Sequence, residues 1–322
     1  MQKTVEFTDA AVYNHCADAV ILSNAIGKLK EEDLQVMKKD VLRNISDNLS
    51  GFSKGQRMIA KFISESYDKA AFMTASEMGR TVGVSESTVV RFAAELGYDG
   101  YPGMQRALQE MIRTKLTSVQ RMEVGNDRIS SQDVLPTVLQ SDIENIRSTM
   151  EENSVEEFHA AVNAIVNARR IYILGVRSSA AIASFMAFYF NLMFDNVKLV
   201  STNSASEVFE QMLRVSPEDA VIAISFPRYS KRTVQAMKYS ADKGAEVIAI
   251  TDSPDSPLVN SASHTLYARS DMVSFVDSLV APLSLINALI VAVGKRNNCE
   301  LAKTFETLED IWEEYEVYEK VE

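Results

Sequence analysis

The chain of 322 residues holds only 2 cysteines, 3 histidines, 1 tryptophan, 12 glycines and 7 prolines. Cys16 and Cys299 stand nearly a whole chain apart and match no metal-ligand or redox spacing. A disulfide scaffold and a four-cysteine zinc site are thereby excluded, and reduced thiols in a cytoplasmic compartment are expected. His15, His159 and His264 share no spacing with one another or with carboxylates, so neither a metal site nor a catalytic histidine is expected. Long apolar runs are also missing. The longest, Leu279 to Val293, contains Pro282 and falls short of the roughly 20 residues a membrane span requires, so it reads as a buried helix with surface left over for a subunit interface. The opening MQKTVEFTDA lacks a basic, apolar leader, and neither an export signal nor a membrane partner is expected.

What is present is 46% hydrophobic residues and a formal net charge of −11, which suit a globular chain of about two domains. The charge is uneven. Residues 1–40 carry −2, residues 41–121 carry +3, and residues 122–322 carry −12. The basic stretch ends at a polar segment, EVGNDRISSQ, without apolar periodicity. This predicts four parts: an N-terminal helical extension of unknown role (1–40), a DNA-binding domain (41–121), a linker (122–132) and a C-terminal domain (133–322).

In the first half, apolar residues recur at spacings of three and four. They predict helices over Asp33 to Leu49, Ser53 to Tyr67, Ala75 to Val82, Glu86 to Leu96 and Tyr101 to Leu116, with no strand among them. After two more helices, Val134 to Met150 and Val155 to Ala168, short β-branched runs alternate with helical segments. The runs are Arg170 to Leu174, Val197 to Val200, Ala220 to Ser225, Glu246 to Thr251 and His264 to Ala268. Near-continuous hydrophobicity in them implies a parallel sheet covered on both faces. The expected architecture is therefore an all-α domain followed by a doubly wound α/β domain of assumed strand order 2-1-3-4-5, with its ligand crevice between the first and third strands.

The window TASEMGRTVGVSESTVVRF starts with a capping box, Thr74 and Glu77. Gly83 offers a turn residue tolerant of positive φ, Ser85 a second N-cap, and Gly79 room for two helices to cross. With Met78, Val82, Val84, Val89 and Phe92 packed inward, Glu86, Ser87, Val90 and Arg91 face outward, and Ser85 and Thr88 lie at the N-terminal end. A helix-turn-helix presents that end to the major groove of double-stranded DNA. Arg91 suits a guanine or a phosphate, while Ser85, Ser87 and Thr88 offer short hydroxyls. Lys54, Arg57, Lys61 and Arg80 would add phosphate contacts, and Glu86 must read cytosine or point away.

Two loops in the second half combine serines and basic residues between a strand end and a helix start. One carries Gly175, Arg177, Ser178 and Ser179; the other carries Ser225, Arg228, Ser230, Lys231 and Arg232. Any one serine is more simply a helix cap, but two such loops side by side suit a phosphate. Glu207, after the second strand, would be a base or a hydroxyl acceptor. The acidic tail from Glu306 reads as a solvated helix with Trp312 and Tyr315 packed on the body.

This pair of motifs resembles the RpiR family of bacterial transcriptional regulators, with a helix-turn-helix ahead of a sugar isomerase-type (SIS) domain. The most specific piece is FMTASEMGRTVGVSESTVVRFAAELGYDGY. The resemblance implies a homodimer or homotetramer that binds operator DNA and senses a phosphorylated sugar, with no catalysis and no cofactor. Gly175, Ser179, Ser225 and Ser230 fall on the family's sugar-phosphate loops. Arg177, Pro227 and Arg228 depart from them, replacing a glycine, a serine and a second glycine. The competing expectation is a sugar-phosphate isomerase or lyase, for which Glu207 is the only candidate base.

Overall fold

The structure, a computed structural model, describes residues 41–115, 117–122, 133–201 and 204–319. The expected extension over residues 1–40, Cys16, His15 and nearly all of the linker lie outside them. The described chain forms two compact units, divided between Thr117 and Ser118. This boundary precedes the expected linker. Residues 118–122 are helical and belong to the second unit, because the Arg121 side chain is buried there against Asp277.

The first unit is all helical: α1 Val41–Asn48, α2 Lys54–Glu65, α3 Tyr67–Ala70, α4 Ala75–Val82, α5 Glu86–Glu95 and α6 Gly100–Lys115. Each helix buries one stripe. Ile45, Ile59, Ile63, Met78, Val89, Phe92, Met104 and Leu108 form the interior, and Phe52 meets Phe92 edge-on at 5.1 Å. The expected single helix from Ser53 to Tyr67 is broken at Ser66, which ends α2 and precedes the short α3.

The second unit begins with α7 Val134–Glu152 and α8 Val155–Val166. Then come β1 Ile171–Gly175, α9 Ser179–Asn191, β2 Val197–Val200, α10 Ala205–Met212, β3 Ala220–Ile224, α11 Lys231–Asp242, β4 Glu246–Thr251, β5 His264–Tyr267, α12 Val280–Arg296 and α13 Asn298–Glu314. The strands pair in parallel in the order β2-β1-β3-β4-β5. Alternate side chains divide the core. Ile171, Ile173, Ile222, Ile248 and Ile250 pack under α8, α9 and α12. Tyr172, Leu174, Val221, Val247 and Ala249 pack under α10 and α11. Burial on both faces explains why these strands read as unbroken apolar runs.

Helix α12 faces its own domain with Leu285, Ile286, Leu289 and Val293 and is wedged against α7, α8 and α9, while Val280 and Val291 stay exposed. One packing expectation is corrected. In the tail, Trp312 is half-buried and pairs edge-on with Tyr318, whereas Tyr315 is exposed just past the end of α13.

Candidate functional site

The helix-turn-helix is assembled by caps and one close approach. Thr74 and Glu77 exchange both capping-box bonds, and the exchange holds the Glu77 carboxyl below its ordinary range, the Thr74 backbone bond being the larger cause and the Thr74 side chain the next. Gly83 ends α4 with φ 81°, in the left-handed region. A Cβ on Gly79 would lie 2.8 Å from the Val84 carbonyl oxygen, so only glycine lets the turn pass this near to α4. Ser85 caps α5 by accepting from the Thr88 amide, and its hydroxyl lies 2.9 Å from Ser87 Oγ and 2.8 Å from Thr88 Oγ1.

The outward face of α5 carries Glu86, Ser87, Val90 and Arg91, all exposed, with Thr88 half-buried at its end. Arg91 is steadied by donation from Nε to the Ser87 carbonyl. Gly55 at the start of α2 approaches Val84 and Thr88 closely enough that a Cβ would touch both, which brings Lys54 beside the N-terminal end of α5. Lys54, Arg57, Lys61 and Arg80 are exposed as well. Arg91 on α5 and Lys54 beside its N-terminal end supply basic side chains of the kind that bind phosphates and base edges.

In the second unit, β1 and β3 are neighbours whose ends align, Gly175 opposite Ile224, so the two serine loops leave the sheet side by side. This is the point where the strand order reverses, outside the carboxyl edge. Gly175 is buried, and a Cβ there would sit 2.6 Å from the Ser179 carbonyl oxygen; its role is to let α9 pack on β1. Arg177 is exposed and holds φ 59°. A glycine-like backbone is thus retained at a position where the resemblance expects glycine. Ser178 precedes α9 without a side-chain cap bond, and Ser179 is its buried first residue.

The β3 loop is tied more tightly. Ser225 is buried and its hydroxyl accepts from the Ser230 amide at 3.2 Å. Ser230 caps α11 by accepting from the Thr233 amide. The cap reading therefore holds for Ser230 and not for Ser178. Thr251, at the end of β4, donates to the Ser225 carbonyl, and Tyr229 donates to Asp252 at 2.8 Å. Pro227 is buried, while Arg228 is exposed and donates to Ser118 Oγ at 3.4 Å.

Asp252, Tyr229 and Arg121 were not expected from sequence. Asp252 had a faint signal, a charged residue directly after an apolar strand; Arg121 had none, since only the fold brings Asp277 to it. Glu207 is exposed in the first turn of α10. His264 opens β5 and so lies at the opposite, amino edge of the sheet. There folding brings it to Glu157 at 3.3 Å and Glu246 at 3.8 Å, carboxylates that no sequence spacing connects to it. Among the described residues, no cluster of His, Cys, Asp and Glu could hold a metal ion, and no helix is long and apolar enough to cross a membrane.

Comparison with known proteins agrees with both halves. Residues 39–115 match the helix-turn-helix domain of the rpiR family, and residues 164–292 match the SIS domain. The chain is 27% identical over 234 residues to the uncharacterized HTH-type transcriptional regulator YfhH of Escherichia coli, covering 71% of this chain and 82% of that protein. It is 24% identical over 280 residues to the regulator TTE0211 of Caldanaerobacter subterraneus, covering 84% of this chain and 96% of that protein. Among solved structures, the sugar isomerase domain of an RpiR transcription factor from Sphaerobacter thermophilus is similar at 26% identity and TM-score 0.53, covering 55% of this chain and 99% of that one. The NanR protein of Vibrio vulnificus, solved with ManNAc-6P, shares the fold at 21% identity and TM-score 0.52, covering 84% and 98%. The chain thus carries an N-terminal helix-turn-helix domain of the rpiR family and a C-terminal SIS domain, and the curated relatives it matches are HTH-type transcriptional regulators.

Proposed function

We propose that the protein binds a palindromic operator through α5 and that a phosphorylated sugar in the β1/β3 crevice sets its operator affinity. The observation that carries this reading is the pairing of two serine-bearing loops at the switch point. Ser178 and Ser179 open α9, the buried Ser225 hydroxyl accepts from the Ser230 amide ahead of α11, and Arg177 and Arg228 are exposed on the two loops. Helix N-termini and hydroxyls favour a phosphate dianion, and a guanidinium adds charge-assisted bonds. The ManNAc-6P held by the V. vulnificus relative makes an amino-sugar phosphate a natural first probe.

Regulation is favoured over turnover by placement. Isomerisation needs a base and an acid within reach of one substrate. Glu207 follows β2 at the carboxyl edge, whereas His264, flanked by carboxylates, sits at the amino edge. We therefore read the crevice as a sensor and place the protein in the cytoplasm, where sugar phosphates and operators are found.

A palindromic operator calls for two readers. Helix α7 supplies a surface for pairing, because Leu135, Leu139, Ile143, Ile146 and Met150 are all exposed at spacings of four, four, three and four. Such a 3-4 stripe fits a second helix. In a parallel pair with the same helix of a second copy, Asp142 would face the other Arg147 across the seam. We propose α7, rather than α12, as the subunit contact.

The test is a thermal-shift screen of sugar phosphates, ManNAc-6P included, followed by operator titration. A ligand at 100 times its Kd should add about 2.7 kcal/mol of stability. A sugar phosphate that is consumed, with Glu207→Gln stopping the reaction, would replace this reading with an isomerase or lyase.

A further inference from the structure

The largest fully buried side chain of the described protein is an arginine, Arg121, at 1% exposure. A guanidinium stays charged at any ordinary pH, and burying it is costly unless it is paired. Its partner is Asp277, with Nη1 2.9 Å from Oδ1. Asp277 lies in the loop between β5 and α12, which leaves the sheet at its carboxyl edge. One helical turn earlier, on the same face of residues 118–122, Ser118 accepts from Arg228 of the β3 loop at 3.4 Å. The first residues of the second unit therefore span two loops of the crevice edge.

The same β5 loop is fastened from its other side by α7. Asp142 accepts from Ser278, Asn145 exchanges bonds with Asp271, Thr149 accepts from the Arg269 amide, and Asn153 accepts from the Tyr267 amide. Asp277 is thus a fixed point. Ser118 is a weaker anchor, a neutral hydroxyl at long distance from a guanidinium that borders the proposed phosphate site. A dianionic phosphate binds guanidinium through charge-assisted bonds about twice as strong as neutral ones.

We propose that residues 118–121 are a latch between the effector crevice and the DNA-binding unit. Arg121 and Asp277 form its pivot, and the Ser118–Arg228 contact is the catch that an effector phosphate releases. The proposal rests on the reading of the crevice as the effector site. Arg121, Asp277 and Ser118 are positioning residues: they touch neither ligand nor DNA, and they act through the chain direction at Thr117, where the DNA-binding unit ends. Opening the catch without ligand should then imitate the effector.

The experiment uses the full chain, a DNA duplex selected by the wild type from a random pool, and no sugar phosphate. Ser118→Ala and Asp277→Asn should each shift operator affinity in one common direction by at least about fivefold, the lower end of ordinary allosteric coupling. Both should raise amide hydrogen exchange over residues 118–122. The exchanged pair Arg121→Asp with Asp277→Arg should return both properties toward wild type, which a loss of general stability would not allow. Faster exchange with operator affinity within twofold of wild type overturns the latch, as does a shift that the exchanged pair leaves unrepaired. Ser118→Ala removes only one surface hydroxyl contact and carries the test if Asp277→Asn fails to fold. A wild type that selects no duplex overturns the operator reading and the latch together. A wild type that selects one but is stabilised by no sugar phosphate overturns the effector reading and the phosphate as the catch's trigger, while the ligand-free affinity comparison still decides whether residues 118–121 are coupled to the DNA.

Discussion

At the scale of single residues, the most informative position is Arg177, a non-glycine side chain with φ 59°. L-residues occupy this region at a cost of about 1–2 kcal/mol, and such strain gathers where a loop must present its backbone to a ligand. Arg177→Gly is expected to raise thermal stability by about 1 kcal/mol through relief of that strain, and to weaken sugar-phosphate binding through loss of the cation. Stabilisation together with tighter binding would remove Arg177 from the site. Tyr101 gives a second residue-level prediction. Its hydroxyl donates to the Met73 carbonyl at 2.6 Å, and burial, with a smaller contribution from Glu77, pushes the phenol up to about 12. The folded state thus favours the neutral phenol. Its contribution is complete below the unfolded value of about 10 and fades as pH rises from there through about 12. Urea midpoints should fall more steeply between pH 9.5 and about 11.5 for the wild type than for Tyr101→Phe, and equal slopes would contradict this.

Among elements, the reading helix is set by local chemistry and was legible in full. Thr74, Glu77, Gly79, Gly83 and Ser85 all take the parts their types dictate, because caps and turns depend on near neighbours in sequence. Gly79→Ala should misplace α5 against α4 and abolish operator binding in a chain whose SIS domain still melts normally. Arg91→Ala should weaken operator binding by about 1–3 kcal/mol if it reads a base, and unchanged affinity would move the reading face elsewhere. The five strands were legible too, within a residue at each end, since β-branched runs buried on both faces leave a strong signal. Long-range contacts were not. Sequence reading placed a subunit contact on α12 but gave no sign that the helix packs against α7, α8 and α9 of its own domain. The exposed stripe lies on α7, where Ile143→Glu with Ile146→Glu should convert a sedimenting dimer to a monomer; a dimer that survives would place the interface elsewhere.

For the whole molecule, a basic helix-turn-helix unit precedes an acidic SIS unit, and the second unit begins at Ser118, which accepts from Arg228 of the β3 loop although 110 residues separate them. That the two serine loops leave neighbouring strands was foreseen, because both are marked by composition and the assumed strand order is the one observed. The contacts around them were not: Asp252 and Tyr229 meet only through the β3–β4 pairing, and Arg121 reaches Asp277 across more than 150 residues. The central claim is that one small molecule, bound without being consumed, changes DNA affinity. It is tested most directly by titrating labelled operator DNA with the full chain at saturating and at zero sugar phosphate, alongside Ser179→Ala with Ser225→Ala. A wild-type shift of about 5- to 150-fold that vanishes in the double variant, with unliganded affinity retained, is the expected result. A stabilising sugar phosphate that leaves operator affinity unchanged, or a double variant that still responds, would contradict the account.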